Sequence, residues 1–269
     1  MSWEPRHYEE RFELKYLMRT ADRGAVLARL HGFLGRDFGL RTEDQSVFSL
    51  YFDTPTLEFY WDKLDGEEVR QKLRLRGYRP CPDGPFDALF IERKLKINQT
   101  IRKVRVQLPA DYSRMPLADL VRSGELNALA PFEASSRTQV LVPSSMHQYR
   151  RAAVESPRFP HLRITIDSWM RVQPARDLML DFSQAPFGLP PHLSVLELKY
   201  SRKLPSWVTS FVQAHGLSLM RVSKYVLAVR AVAREFHRGR NAVQLGAATE
   251  KPVEPIRSPG ASSMELAEV

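Results

Sequence analysis

Two hydrophobic periods run along this chain. A two-residue alternation, the mark of a half-buried strand, is clearest at Arg11-Phe12-Glu13-Leu14-Lys15-Tyr16. Strand signals return at Val47–Phe52, Val69–Tyr78, Ala88–Lys96, Ile101–Leu108, Met146–Val154, Leu162–Val172, Leu178–Phe182 and Val195–Tyr200. Helical patterning predicts helices over about Ala21–Leu34, stopped by Gly35, over Pro205–His215, stopped by Gly216, and over about Ser218–Arg238. Asp53-Thr54-Pro55 reads as a helix start with proline at the first helical position, and broken helical segments fill roughly Pro116–Val142. A turn rich in Pro, Asp and Gly and a short Asn98-Gln99 connection join consecutive strands as hairpins. Hairpin-linked strands with inserted helices and a helical C-terminus predict an α+β fold on an antiparallel sheet. Periodicity ends at Gly239, so 1–238 reads as one domain and 239–269 as a disordered tail.

The two faces of these strands differ sharply. One is apolar: Phe12/Leu14/Tyr16, Leu73/Leu75, Val104/Val106/Leu108, Leu162/Ile164/Ile166 and Leu196/Leu198/Tyr200. The other carries Arg11, Lys15, Arg70, Lys72, Arg74, Arg76, Lys94, Lys96, Lys103, Arg105, Arg151, Arg163 and Lys199 against the acids Glu13, Glu92, Asp167 and Glu197. Taken singly, each strand fits a sheet with one face in water. Taken together the cations far outnumber the acids, whereas solvated sheets mix signs because like charges across strands repel. At an effective dielectric near 20, such a contact at about 4 Å costs on the order of 4 kcal/mol. A bound polyanion would neutralise the cluster, and if the sheet closes, alternation turns this whole face into a lumen. A Glu-x-Lys step recurs as Glu13/Lys15, Glu92/Lys94 and Glu197/Lys199. On a strand it aims both groups the same way, so that one can hold a hard cation and the other a phosphate oxygen.

Composition agrees. The 269 residues carry a formal net charge of +9, which points to anionic partners. The single cysteine, Cys81, lies in a Pro-rich turn and can form neither an internal disulfide nor a cysteine zinc site. No signal peptide and no long apolar run is visible, which predicts a cytoplasmic protein without membrane insertion. His7, His31, His147, His161, His192, His215 and His237 lack metal-ligand spacing and read as surface or packing residues. No P-loop, dinucleotide fingerprint or nucleophile elbow occurs.

Several segments together resemble a known family. Arg11-Phe-Glu-Leu-Lys-Tyr16, Ser49-Leu-Tyr-Phe-Asp-Thr54, Leu73-Arg-Leu-Arg-Gly-Tyr78, Ile91-Glu-Arg-Lys94, Lys103-Val-Arg105, Tyr149-Arg-Arg151, Arg163-Ile-Thr-Ile-Asp167, Leu196-Glu-Leu-Lys-Tyr200 and Ser223-Lys-Tyr225 follow one another in the order of the VTC (vacuolar transporter chaperone) domain. The chain resembles its bacterial polyphosphate polymerase-like form, within the triphosphate tunnel metalloenzymes related to the CYTH group. The resemblance covers about residues 9–232 and implies a closed eight-stranded antiparallel β-tunnel with peripheral helices. It further implies a phosphate grip by Lys15, Arg74, Arg76, Lys94, Lys103, Arg105, Arg151, Arg163, Lys199 and Lys224, the last closing one mouth. A divalent metal, Mn²⁺ or Mg²⁺, is implied on Glu197, with Glu13 as helper and Glu92 as a further candidate. The implied ligands are ATP or another nucleoside triphosphate and triphosphate or polyphosphate, with an inositol phosphate as regulator. CYTH triphosphatases open with Glu-x-Glu-x-Lys; Arg11 stands at the first acidic position here, which favours the VTC branch over a two-metal hydrolase.

The resemblance implies a metal-dependent phosphoryl transferase that makes polyphosphate from a nucleoside triphosphate; the alternatives are a triphosphatase of the same fold and a module that binds polyphosphate or inositol phosphate without turnover. Nucleic acid is disfavoured, because no stacking aromatics interleave the strand cations.

Overall fold

The computed structural model describes residues 12–34, 44–80, 85–98, 100–122, 141–175, 180–220 and 223–238. Arg11, Cys81 and the 239–269 tail lie outside them. The elements in order are β1 (Phe12–Arg19), α1 (Arg23–Leu34), β2 (Asp44–Asp53), α2 (Glu58–Asp65), β3 (Val69–Arg79), β4 (Ala88–Ile97) and β5 (Thr100–Gln107). They continue with α3 (Leu117–Arg122), β6 (Val142–Glu155), β7 (Leu162–Pro174), β8 (Leu193–Tyr200), α4 (Trp207–Ala214), β9 (Ser218–Leu219) and α5 (Lys224–Arg238). All strands pair antiparallel in one sheet of order β5-β4-β3-β2-β6-β7-β8-β1-β9.

The antiparallel α+β class stands as the patterning predicts. Two features of the expected barrel do not: the sheet has nine strands, and it is not closed. The reason lies at β1. A strand has two hydrogen-bonding edges; β8 takes one along the whole strand, and β9 takes part of the other, with Tyr16 opposite Leu219 and Leu17 opposite Ser218. That part of the edge is then unavailable to β5. The sheet still curls strongly enough for Lys94 on β4 to reach Glu13 on β1 at 3.9 Å. The result is a cup.

The apolar faces point outward and are largely covered, with Phe12 and Val106 left exposed. Leu73, Leu75, Ile91, Phe48, Leu50 and Met146 pack against Leu117 and Leu120 of α3 and against Phe182. Gly77 belongs here: a Cβ on it would stand 2.2 Å from the Phe86 ring, so only glycine leaves that ring its place. Ile164, Ile166, Leu196 and Leu198 pack against Val26 and Leu30 of α1 and Val208 and Phe211 of α4. Full burial of such side chains contributes roughly 1.5–3 kcal/mol each. The concave face keeps the charges and receives α5, whose Ala228 joins one buried cluster with Val47, Tyr149, Met170, Val172 and Val195.

A bulge makes that docking possible. The β6–β7 register shifts between Gln148 and Arg150, and Trp169 takes a left-handed backbone (φ 53°). The extra residue turns the strand over, so Asp167 before it and Met170 and Val172 after it all face the cup.

Several elements differ from the patterning. α2 begins at Glu58, after a turn through Pro55, because the Asp53 carboxylate accepts the N–H groups of Phe59 (2.9 Å) and Tyr60 (3.1 Å) and caps the helix from a distance. Ser218–Leu219 pairs with β1 before α5 starts at Lys224. The strand expected at Leu178–Phe182 is absent over its described part, 180–182, and Val142 opens β6 rather than ending a helix. Among the described residues no helix is long and apolar enough to cross a membrane.

Candidate functional site

Strand pairing sets the concave side chains in rungs. Arg74, Glu92 and Arg105 lie directly opposite one another across β3, β4 and β5; Lys72, Lys94 and Lys103 form the next rung. On the other side of the cup Lys15 faces Glu197, Glu13 faces Lys199, and Arg151 faces Asp167.

Glu92 is the centre of the first group. It is 3% exposed and meets Arg74 at 2.6 Å, Lys103 at 2.9 Å, Arg105 at 3.1 Å and Arg76 at 3.9 Å. Burial alone would raise its carboxyl; Arg74, Arg76 and Lys103 overcome that and hold it well below the usual carboxylate range. One negative charge among four positive ones leaves the group strongly cationic. Tyrosine hydroxyls fix the arginine forks: Arg74 donates to Tyr51 (3.0 Å) and Arg76 to Tyr149 (2.6 Å).

The second group is built on Glu197, Asp167 and Glu13. Glu197 meets Lys224 at 2.5 Å, Lys199 at 3.0 Å, Arg151 at 3.7 Å and Lys15 at 3.8 Å. Asp167 takes a two-pronged bond from Arg151 (2.6 and 2.7 Å) and a contact from Lys224 (2.6 Å). Glu13 holds Lys15 at 2.8 Å. Against the upward push of burial, Lys224, Lys199 and Lys15 keep Glu197 well below its ordinary value. Burial likewise pushes Glu13 up, yet Lys15 and its neighbours draw it down to about 2. Both carboxylates are therefore ionised at neutral pH. Lys224 is raised: burial disfavours its charge, and Asp167 and Glu197 more than compensate.

Lys224 reaches this depth because α5 is tied down one residue later. The Tyr225 hydroxyl donates to the buried Asp53 carboxylate, and its ring stacks on Tyr51 at 4.9 Å. Asp53 thus caps α2 and anchors α5 together.

The structure brings Lys15, Arg74, Arg76, Lys94, Lys103, Arg105, Arg151, Lys199 and Lys224 into these two groups. Arg163 stands elsewhere: 53% exposed at the rim, it pairs with Glu155 at 2.8 Å. Glu13 and Glu197 share Lys15, whereas the ion pairs of Glu92 join it to neither. No cluster of three or more metal-type ligands occurs among the described residues.

Sequence reasoning passed over several residues of the cup. His147 is fully buried between Tyr51 and Tyr149, and neither ring nitrogen has a hydrogen-bond partner. Burial, with Arg74 and Lys224 near, keeps it well below its usual titration range, hence neutral. Its alternate position with Tyr149 and Arg151 on β6 was the available signal. Asp167 was visible as a face acid, but not as the partner of both Arg151 and Lys224.

The family described as the VTC domain matches residues 10–233. No curated protein matches the chain by sequence. Among solved structures, an adenylate cyclase candidate from Vibrio parahaemolyticus is similar at 13% identity and a TM-score of 0.47, covering 82% of this chain and 98% of its own. A Hippeastrum adenylyl cyclase candidate, described as having a dominant triphosphatase activity, is similar at 14% identity and 0.47, over 81% and 94%. The Mimivirus capping enzyme triphosphatase is similar at 10% identity and 0.35, over 76% and 88%.

Proposed function

The chain belongs to the VTC domain family, and from that premise we propose that its cup binds a nucleoside triphosphate such as ATP and lengthens polyphosphate with it. The observation that carries this reading is the oversubscription of the carboxylates. Glu92 alone answers four cations, and Glu197 answers four more, one of which it shares with Glu13 and two with Asp167. A chain of phosphates supplies the missing negative charge in the shape of the cup.

Phosphoryl transfer asks a protein for positioning and charge neutralisation above all. The Arg74, Arg76 and Arg151 guanidinium groups suit fork-like grips on phosphate oxygens, and Lys15, Lys94, Lys103 and Lys199 suit point contacts. Arg105 joins them, and Arg163 at the rim would meet the part of a long chain that leaves the cup. A terminal oxygen of the polyphosphate attacks the γ-phosphorus, the bond to the β–γ bridging oxygen breaks, and the nucleoside diphosphate leaves with those electrons. The chain ends one phosphate longer.

A divalent metal, Mn²⁺ or Mg²⁺, fits Glu197 with Glu13. Both carboxylates are ionised, and such ions are commonly held by one or two carboxylates together with substrate phosphate oxygens. When bound, the metal would neutralise charge on the phosphoryl oxygens. Glu92 shares no cation with either of these carboxylates and is the weaker ligand. An inositol phosphate would compete for the same cations.

The test is incubation with ATP and Mn²⁺, resolving long phosphate chains from orthophosphate. Chains are expected. Orthophosphate alone would make the protein a triphosphatase, and tight binding without turnover a binding module; either result overturns the polymerase reading.

A further inference from the structure

Not every cationic side chain on the concave face meets an acid. Lys15, Lys94, Lys103, Lys199 and Lys224 each meet a carboxylate. Lys72 meets none among the described residues. Its register on β3 places it on the concave face, opposite Lys94 and in one rung with Lys103. Its Nζ donates to the Ser223 hydroxyl at 3.0 Å and lies over the Tyr225 ring at 5.9 Å. Ser223 in turn accepts the Val226 N–H in the first turn of α5.

The strongest charges acting on it are positive: Lys15 on β1, Lys94 on β4, Lys63 on α2 and Arg74 on β3. At the start of α5 it meets Ser223, the residue before the helix, and Tyr225. Among the described residues no carboxylate pairs with it, and the cations around it make a field that an incoming anion would seek. We propose that Lys72 is a phosphate ligand of the cup that gains its proton together with the bound polyanion, so that binding is coupled to proton uptake. This rests on the cup being a triphosphate site, as proposed above, and adds to it a residue and a pH dependence.

The direction of coupling follows from electrostatics. Burial first, then the surrounding cations, set the Lys72 amine well below its ordinary value in the ligand-free cup. A phosphate oxygen beside it favours the ammonium form and moves the value up. Between the two values each binding event draws one proton from solvent onto Nζ. No covalent bond changes, and the lone pair that accepts the proton is the amine's own.

Titration calorimetry with tripolyphosphate, in paired buffers of different ionisation heat between about pH 7 and 9.5, reads both affinity and protons. Wild type is expected to take up roughly one proton more per ligand than Lys72→Arg, because a guanidinium is always charged. Lys72→Met is expected to bind roughly tenfold or more weakly, with Lys72→Arg restoring most of the loss. Equal proton uptake by wild type and Lys72→Arg overturns the inference, as does wild-type affinity in Lys72→Met. Should Lys72→Met fail to fold, the proton difference between the other two decides alone. Absence of binding by wild type itself removes the triphosphate reading along with this one.

Discussion

Replacing Glu92 by glutamine keeps shape and removes the one negative charge among Arg74, Arg76, Lys103 and Arg105. Breaking a buried ion pair from one side costs about 3–5 kcal/mol, because the orphaned charges stay behind. Here Arg76 and Arg74 are the ones left inside, at 6% and 22% exposure, while Lys103 and Arg105 can turn to water at 45% and 37%. The lower end, about 3 kcal/mol, is therefore expected, which for a domain of this size lowers Tm by roughly 6–12 °C. The effect belongs to neutral pH: Glu92 titrates lower in the fold than in the unfolded chain. Its contribution is complete above the unfolded value of about 4.3 and fades as pH falls through the folded one. If the cations exist for a polyanion, tripolyphosphate should repair the variant. Narrowing the gap by about 2 kcal/mol requires Glu92→Gln to bind roughly 30-fold more tightly than wild type. Thermal unfolding with and without saturating tripolyphosphate measures both quantities. A gap that persists unchanged in the ligand, or a variant as stable as wild type without it, refutes the reasoning.

Arg74→Ala with Arg76→Ala should weaken tripolyphosphate binding by roughly 100-fold or more, since each charged hydrogen bond is worth about 1.5–3 kcal/mol; an unchanged Kd in calorimetry would place both forks outside the ligand path. Glu197→Gln should abolish Mn²⁺-dependent turnover while the far-ultraviolet circular dichroism stays native, and normal turnover would remove the metal assignment. Tyr225→Phe deletes the hydroxyl that donates to Asp53 and should cost about 2 kcal/mol in denaturant unfolding; a shift below about 0.5 kcal/mol would show that ring packing alone holds α5.

The alternation of charged and apolar residues made most of this legible. It identified the strands, separated the helix-covered faces from the charged ones, and marked nearly every cation of the cup. What escaped it depends on contacts between distant segments. Nothing near Asp53 announces Tyr225, yet that bond sets how deep Lys224 sits. β9 is two residues long, too short for any period, and it decides whether β1 keeps an edge for closure. His147 looked like any scattered histidine because only the pairing of β6 with β2 sets it beside Ser49 and Tyr51. Arg163 shares the parity of the cup residues but stands near the start of its strand, where Glu155 captures it.

Trp169 works like a corrected reading frame. Counting by twos from Asp167 without it would send Met170 and Val172 to the outer surface and strip α5 of the bed on which Ala228 rests. The number of residues at that point of β7 is thus as constrained as the identity of any charged group in the cup. Losing or gaining a single residue there would invert one half of the strand, and a change by two would leave both halves facing as they do now.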